Sequence, residues 1–317
     1  VRYEHFSEFG STTNGKAALR YEITPDIALR GTVSSGFRAP TPGQVNSTRT
    51  SQGLDTTTLQ LFTAGRLSVL NPVAIFFGAK PLKPEKSMNY SVGIAARSGG
   101  FSGSLDFYQI DVDDRFSTSP NFTVTPTIRA QLIAQGVPGA DQLTSLSYFT
   151  NAFDTRTRGI DAVLSYRTRI GEGTLNLTTA WNYNHTKVTR FKTTDLSELS
   201  RINVESSLPK VAGNATIDYR RGRFDAMLRG RFFGSWTDAQ FQDSKNLVQK
   251  FGARAFVDIA FGYRITDQVK LTVGAENLFD TYPDKATFQA SRGLVYSRNA
   301  AYDTDGGLYY ARLSLNF

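Results

Sequence analysis

Apolar and polar residues alternate singly along much of the chain. Val269, Leu271, Val273 and Ala275 share one face of an extended segment, and Lys270, Thr272 and Gly274 share the other. Leu175, Leu177, Trp181 and Tyr183 stand against Asn176, Thr178, Ala180 and Asn182 in the same way. Val257, Ile259, Phe261 and Tyr263 stand against Asp258, Ala260 and Gly262, and the segments 224–232 and 309–317 repeat the pattern. This period predicts strands with one apolar face and one polar or small face. Eleven such strands are read near 13–23, 27–37, 87–97, 101–115, 156–168, 173–188, 210–219, 223–233, 254–264, 269–279 and 306–317. Helical periodicity is scarce, and its best stretch, Thr127 to Gln135, is short.

The connections fall into two length classes that alternate. Tight turns are read at 24–26, 98–100, 170–173, 220–223 and 265–268, each with turn-forming residues. Long connections occupy 38–86, 116–155, 189–209, 234–253 and 280–305. In an up-and-down barrel all short turns then lie at one rim and all long loops at the other, as in outer-membrane barrels. Tyr21, Tyr90, Tyr166, Tyr219, Tyr263, Phe101, Phe224 and Trp181 sit near strand ends on the apolar face, where membrane barrels carry aromatic girdles. The fold class is therefore all-β, a transmembrane up-and-down antiparallel barrel.

Composition supports this and removes several chemistries. The chain has 317 residues, a net charge of +8 and 12% aromatics, too much apolar surface for a disordered chain. It has no cysteine, so disulfides, thiolate metal sites and a cysteine nucleophile are excluded. Two histidines, His5 and His185, argue against a His-rich metal site. The longest apolar run, Val73 to Ala79, is far short of the roughly 20 residues of a spanning helix. A mean hydropathy of −0.30 does not count against a membrane barrel, since only alternate residues face lipid. The chain starts at Val1 without a basic-apolar leader, which suggests a processed piece or a fragment.

Five segments carry a family resemblance. Ser35-Gly-Phe-Arg-Ala-Pro-Thr41, Leu82-Lys-Pro-Glu-Lys-Ser87, Thr157-Arg-Gly-Ile-Asp161, Glu276-Asn-Leu-Phe-Asp280 with Tyr282-Pro283, and the terminal Leu313-Ser-Leu-Asn-Phe317 resemble, in order, segments of TonB-dependent outer-membrane receptors. Asp161 stands where that family commonly has Glu. The resemblance covers essentially the whole chain. It implies a barrel of about 22 strands, of which eleven are about half. By this resemblance residues 1–317 are the C-terminal barrel portion, without the plug domain and N-terminal strands. The implied partners are the receptor's own plug, the TonB complex, the barrel-assembly machinery and outer-membrane lipid of a Gram-negative cell.

Candidate residues follow from these assignments. Arg20, Arg30, Asp161, Asp218, Arg229, Arg231, Asp258, Lys270 and Glu276 lie on polar strand faces and are expected to line the lumen against a plug. Tyr309, Ala311, Leu313, Leu315 and Phe317 share one face of the last strand, which resembles a barrel-assembly signal. Asn277 and Asp280 read as strand-end hydrogen-bonding residues. Loops are the favoured place for ligand contacts. There Arg49, Phe62, Arg66, Tyr148, Phe149, Trp236, Phe241, Arg292 and Tyr296 suit anionic, partly aromatic iron chelates through charge and stacking. Asp111, Asp113 and Asp114 lack the glycine-containing spacing of a calcium loop. Arg220, Arg221 and Arg223 form a basic turn with no aromatic platform beside it, so nucleic acid is not an expected partner. No catalytic motif occurs, and neither an enzyme nor a cofactor is expected.

The expected function is TonB-dependent import of a scarce bulky nutrient, foremost a ferric siderophore. A passive pore or adhesin barrel is the alternative, and a soluble secreted carbohydrate-binding β-protein the second. A plug and a TonB-contacting segment upstream would favour import.

Overall fold

The computed structural model describes residues 1–6, 10–54, 59, 61–138, 141, 143–192, 198–242, 245–288 and 293–316; at 241, 242, 245 and 246 it describes the backbone alone. In chain order, β1 (Arg2–Phe6) and β2 (Gly10–Asn14) form a hairpin, followed by β3 (Lys16–Thr24) and β4 (Ile27–Arg38). The first long connection holds α1 (Pro42–Asn46), β5 (Arg49–Leu54), β6 (Leu61–Leu67) and α2 (Pro72–Phe76). Next come β7 (Glu85–Ser98), β8 (Phe101–Thr118), β9 (Phe122–Thr123), α3 (Pro126–Ala134) and β10 (Ser145–Ile170). They are followed by β11 (Gly173–Phe191), α4 (Glu198–Ser206), β12 (Val211–Arg221) and β13 (Phe224–Phe233). The chain finishes with β14 (Trp236–Gln242), β15 (Lys245–Phe251), β16 (Arg254–Arg264), β17 (Val269–Glu276) and β18 (Leu308–Leu315).

The strands β3, β4, β7, β8, β10, β11, β12, β13, β16, β17 and β18 lie side by side in that order. Each neighbour pair is antiparallel. These are the eleven strands expected from the alternation. Among the described residues, β3 and β18 each pair along one edge only.

Register aligns the two faces across the whole sheet. Tyr166 pairs with Leu177, Leu177 with Ile217 and Ile217 with Leu228. Leu228 pairs with Ile259, and Val273 lies between Phe261 and Ala311. All of these belong to the apolar face, and many are exposed. The opposite face carries Asp106 beside Asp161, Asn176 beside Asp218, and Arg229 beside Asp258. A one-residue slip would turn every apolar side chain to the polar face. The face pattern is that of a membrane barrel, with a lipid-facing band outside and a polar wall inside.

Two glycines let large polar-wall side chains lie flat. A Cβ at Gly159 would come within 2.2 Å of the Tyr108 ring, and one at Gly93 within 2.0 Å of Asp106. Tyr108 and Asp106 therefore fold across the neighbouring strand.

The short turns gather at one rim, as expected. Arg97 donates its backbone N–H to Asp26, Arg167 to Gly100 and Arg264 to Arg223. Arg221 pairs with Glu172 at 2.8 Å. Positive φ angles at Gly99, Gly171 and Gly222 close three of these turns.

The loop rim departs from expectation. β10 begins at Ser145, well before 156, and β8 runs on to Thr118. Register shifts between Asn151 and Phe153 and between Phe153 and Thr155 interrupt the alternation there, which hides the strand from a period-two reading. The first expected strand splits at Gly15, with 10–14 in the β1–β2 hairpin. β17 stops at Glu276, because Asn277 takes a left-handed conformation (φ 51). The Thr127–Gln135 helix is present as α3. The β14–β15 hairpin and the helices α1, α2 and α4 add structure inside the long loops.

An arginine at Leu164, mid-band on β10, should cost about 2–4 kcal/mol when the chain folds into bilayers. The same change at Ser165, on the polar face, should cost less than half as much. Urea titration of the full receptor in lipid vesicles measures both. Equal costs would mean that the apolar face does not meet lipid.

Candidate ligand-binding loops

The first long loop starts from an ion pair. Arg38 ends β4 and lies opposite Glu85, which begins β7. Its guanidinium gives two parallel hydrogen bonds of 2.7 Å to the Glu85 carboxylate. Glu85 also accepts the Phe116 N–H at 2.7 Å, and Arg38 lies over the Phe116 ring. Thr41 then caps α1 with a capping box. Two of the segments singled out in the sequence thus meet at one point and set where the loop departs.

The long loops are folded, and they fold in pairs. Residues 39–84 and 119–144 share an apolar core of Leu67, Val73, Ala74, Ala79, Val124, Leu132, Leu143, Leu146 and Tyr148. β5 pairs with β6, β6 runs parallel to the start of β10, and β9 pairs on its other side. Residues 234–253 and 277–307 share a second core of Trp236, Phe251, Phe256, Ala286 and Tyr302. Asn203 of α4 gives and accepts a hydrogen bond with the Ala239 backbone, tying the third loop to this second cap.

The expected ligand residues divide accordingly. Tyr148 is a correction: it is 6% exposed, its hydroxyl donates to the Phe77 carbonyl at 2.7 Å, and it stacks on Phe122. Trp236 is a second: it is 2% exposed and stacks on Phe251 at 4.4 Å. Both build the loop cores and offer no surface to a ligand. Tyr296 is half-buried and stacks on Tyr282 at 5.6 Å. Arg292 lies outside the described residues, and of Phe241 only the backbone is described.

Arg49, Phe62, Arg66 and Phe149 come together. Arg49 lies directly opposite Arg66 across the β5–β6 ladder, so the two side chains share a face. On that face Phe62 lies over Gly53, and Arg66 sits over the Phe149 ring at 5.5 Å. The opposite face of β6, at Gly65 and Leu67, is buried in the first core. Arg49, Arg66 and Phe62 are exposed. Neither arginine makes an ion pair among the described residues. Two like charges facing each other across a ladder repel, and an anion placed between them removes that repulsion.

The polar wall is organised differently. Asp258 is fully buried and accepts hydrogen bonds from Arg229 and Arg231 at 2.8 Å and from the Asn277 N–H at 2.8 Å. Arg30 pairs with Asp106, and Lys270 with Asp225 at 2.6 Å. Asp161 accepts from Asn182 at 2.7 Å, and Arg20 lies 3.4 Å from Glu22. Asp218 and Glu276 stand on the same face without an ion pair among the described residues. Asn277 binds the Thr281 backbone in both directions, and Asp280 accepts the Gly307 N–H, so both serve the strand end. The Asp225 partner escaped the sequence reading, because only register brings it to Lys270.

Tyr309, Ala311, Leu313 and Leu315 share the apolar face of β18, and Phe317 lies outside the described residues. The carboxylates at 111–114 are engaged: Asp111 by Arg156 at 2.6 Å and Asp114 by Lys192 at 2.7 Å. Among the described residues no group of three or more potential ligands is placed to hold a metal ion.

Comparison with known proteins gives a consistent picture. Residues 1–278 match the family model described as TonB dependent receptor-like, beta-barrel. No protein of curated function matches by sequence. The siderophore receptor PirA from Acinetobacter baumannii superimposes with a TM-score of 0.65 at 17% identity, covering 99% of this chain and 42% of that one. A mutant ferric enterobactin receptor, PfeA from Pseudomonas aeruginosa in complex with enterobactin, gives 0.68 at 16% identity, with coverage of 99% and 42%. The ferripyoverdine receptor of the P. aeruginosa outer membrane, bound to ferripyoverdine, gives 0.58 at 14% identity, with coverage of 94% and 32%. The chain thus spans about two-fifths of the length of the first two of these receptors.

Two outcomes follow for the loops. Trp236→Ala should remove about 3–5 kcal/mol from the second cap. Limited proteolysis should then cut at 234–253 while the barrel strands stay resistant. Asp284 anchors the same cap by accepting the Gly252 N–H at 2.6 Å and pairing with Arg254. That N–H first, and Arg254 with it, hold its carboxyl below the usual carboxylate range. A depressed folded-state value means the anchor is in place at neutral pH and is lost as the pH falls below about 4. Hydrogen exchange of the Gly252 amide, corrected for intrinsic rate, should keep its protection from neutral pH down to that range and lose it below.

Proposed function

The chain belongs to the family of TonB-dependent receptor-like β-barrels, and from that premise we propose that it is the C-terminal barrel portion of an outer-membrane receptor importing a ferric siderophore. The observation that carries the substrate is the exposed loop face with Arg49 opposed to Arg66, flanked by Phe62 and Phe149, where neither arginine makes an ion pair among the described residues. Ferric siderophore complexes that are anionic and carry aromatic rings match such a face in both charge and stacking. Three receptors of similar fold are, by their descriptions, siderophore, ferric enterobactin and ferripyoverdine receptors.

In this reading the outer membrane of a Gram-negative cell surrounds the apolar band, and the terminal strand guides insertion by the barrel-assembly machinery. The loop caps collect the chelate. The polar wall, with Arg20, Arg30, Asp161, Asp218, Arg229, Arg231, Asp258, Lys270 and Glu276, faces a plug domain of the full receptor. The TonB complex supplies the force that moves the plug, and the iron chelate is cargo. The reading is transport without catalysis.

The test uses the full-length receptor in a strain lacking its own copy. Replacing Arg49 and Arg66 together by alanine should raise the KM for ferric-chelate uptake about tenfold or more, since hydrogen bonds to charged groups contribute about 1.5–3 kcal/mol each. The maximal rate should stay near wild type. Unchanged KM in an R49E/R66E receptor would remove this face from substrate binding. Uptake that persists without TonB would favour a passive pore.

A further inference from the structure

The lipid-facing band has a charged margin on its loop side, and on one strand pair that margin is unbalanced. On β10 the apolar face carries Ile160, Ala162, Leu164 and Tyr166 and continues to Ile170 at the turn. That is the roughly ten residues with which a tilted strand crosses a bilayer. The next residues on the same face toward the loops are Arg158 and Arg156. Opposite them on β11 stand His185 and Lys187. All four follow Tyr183 and Ile160 in the outward alternation, so they lie outside the barrel wall at headgroup depth.

Little neutralises the three cations Arg156, Arg158 and Lys187. Arg156 pairs with Asp111. Arg158 donates to the neutral Gln109 side chain at 2.7 Å. Among the described residues neither Arg158 nor Lys187 makes an ion pair, and both are exposed. Glu205 of α4 is occupied by the Val188 N–H and Arg201. β4 presents Ser35 and Phe37, Lys86 of β7 faces Asp113, and β13 and β16 present Phe232 and Ala255.

Directly beneath lies an apolar groove of about 660 Å³ on the same outer face. Tyr90, Val92, Phe107, Ile160 and Tyr183 line it, with Arg158 and His185 at its upper edge. A hydrocarbon-depth groove with Arg158 at its edge and Lys187 beyond it, neither in an ion pair among the described residues, is complementary to one molecule class, a lipid with an anionic phosphate head. Arg matches phosphate through its planar fork, and cations beside the membrane surface attract anionic headgroups.

We propose that Arg158 and Lys187 bind the phosphorylated headgroup of an outer-leaflet lipid whose acyl chain lies in the groove below. Arg156 and His185 flank the headgroup. The inference rests on the membrane-barrel reading of the apolar face and is independent of which substrate is imported.

The experiment is a lipid titration of the purified full-length receptor in detergent, read by native mass spectrometry. The probe is dioleoylphosphatidic acid. Dioleoylglycerol keeps the chains without the phosphate, and glycerol 3-phosphate keeps the phosphate without the chains. Phosphatidic acid should bind the wild type in preference to both controls. R158Q/K187Q should bind it about tenfold more weakly or worse, as two surface cations are lost. R158K/K187R should retain it, which separates lost charge from lost folding. Chelate uptake by the glutamine variant should match wild type, so failure of the lipid site is distinguishable from failure of the transport reading. Equal binding by the glutamine variant would overturn the proposal. So would dioleoylglycerol binding as tightly as phosphatidic acid, or glycerol 3-phosphate binding as tightly as the lipid.

Discussion

Everything in this molecule depends on satisfying backbone hydrogen bonds where no water is available. In hydrocarbon an unpaired N–H or C=O costs several kcal/mol, so only a strand paired along both edges or a helix is stable there. Between β3 and β18 one continuous antiparallel ladder pairs every interior strand along both edges. Once that ladder exists, side-chain direction is set by parity. Odd positions such as Val273 and even positions such as Lys270 are committed to opposite solvents. Turn length is set too, because the return at the inner rim must be tight enough to keep register. The loop rim has no such limit, since its connections fold into caps of their own.

That same constraint explains how much was legible in the sequence. Inside the band, burial in lipid and exposure to a wet lumen alternate residue by residue, so the hydrophobic pattern reports the strand directly. All eleven strands and both rims were readable for this reason. Beyond the band the pattern loses its cause. At 151–155 two register irregularities shift the phase, and the first part of β10 reads as loop. Among the described residues β14 and β15 pair with each other alone, and their residues follow the demands of a local apolar core. Tyr148 and Trp236 show the same limit from the side of function. An aromatic residue in a loop is equally suited to stacking on a ligand and to building a cap, and composition does not distinguish them. Burial does.

The recurring sequence segments now have physical content. Arg38 and Glu85 are far apart in the chain but form one bidentate pair at the mouth of the first loop. Gly159 is small because Tyr108 lies across it, and Arg158 beside it points the other way. Asn277 ends β17 by a left-handed turn and hands its N–H to Asp258, which already holds two arginines. Each segment sits where a strand must stop, bend or be crossed, which are the positions that alternation alone does not determine.

Charge is distributed so that wall and loops do different work. On the polar wall the cations Arg30, Arg229, Arg231 and Lys270 each have a carboxylate within reach. Such a wall presents hydrogen bonds and largely compensated charge, so under the proposed import an anionic cargo would meet no deep electrostatic trap along it. Arg49 and Arg66 are different: they face each other without an ion pair among the described residues, on a sheet whose back is locked into an apolar core. Because the loops are already folded, binding there does not have to order them first, which removes much of the entropic cost of capture. Tight recognition at the rim and weak contact along the wall are both needed if a ligand is to be captured and then released inward. The placement of paired and unpaired cations separates the two.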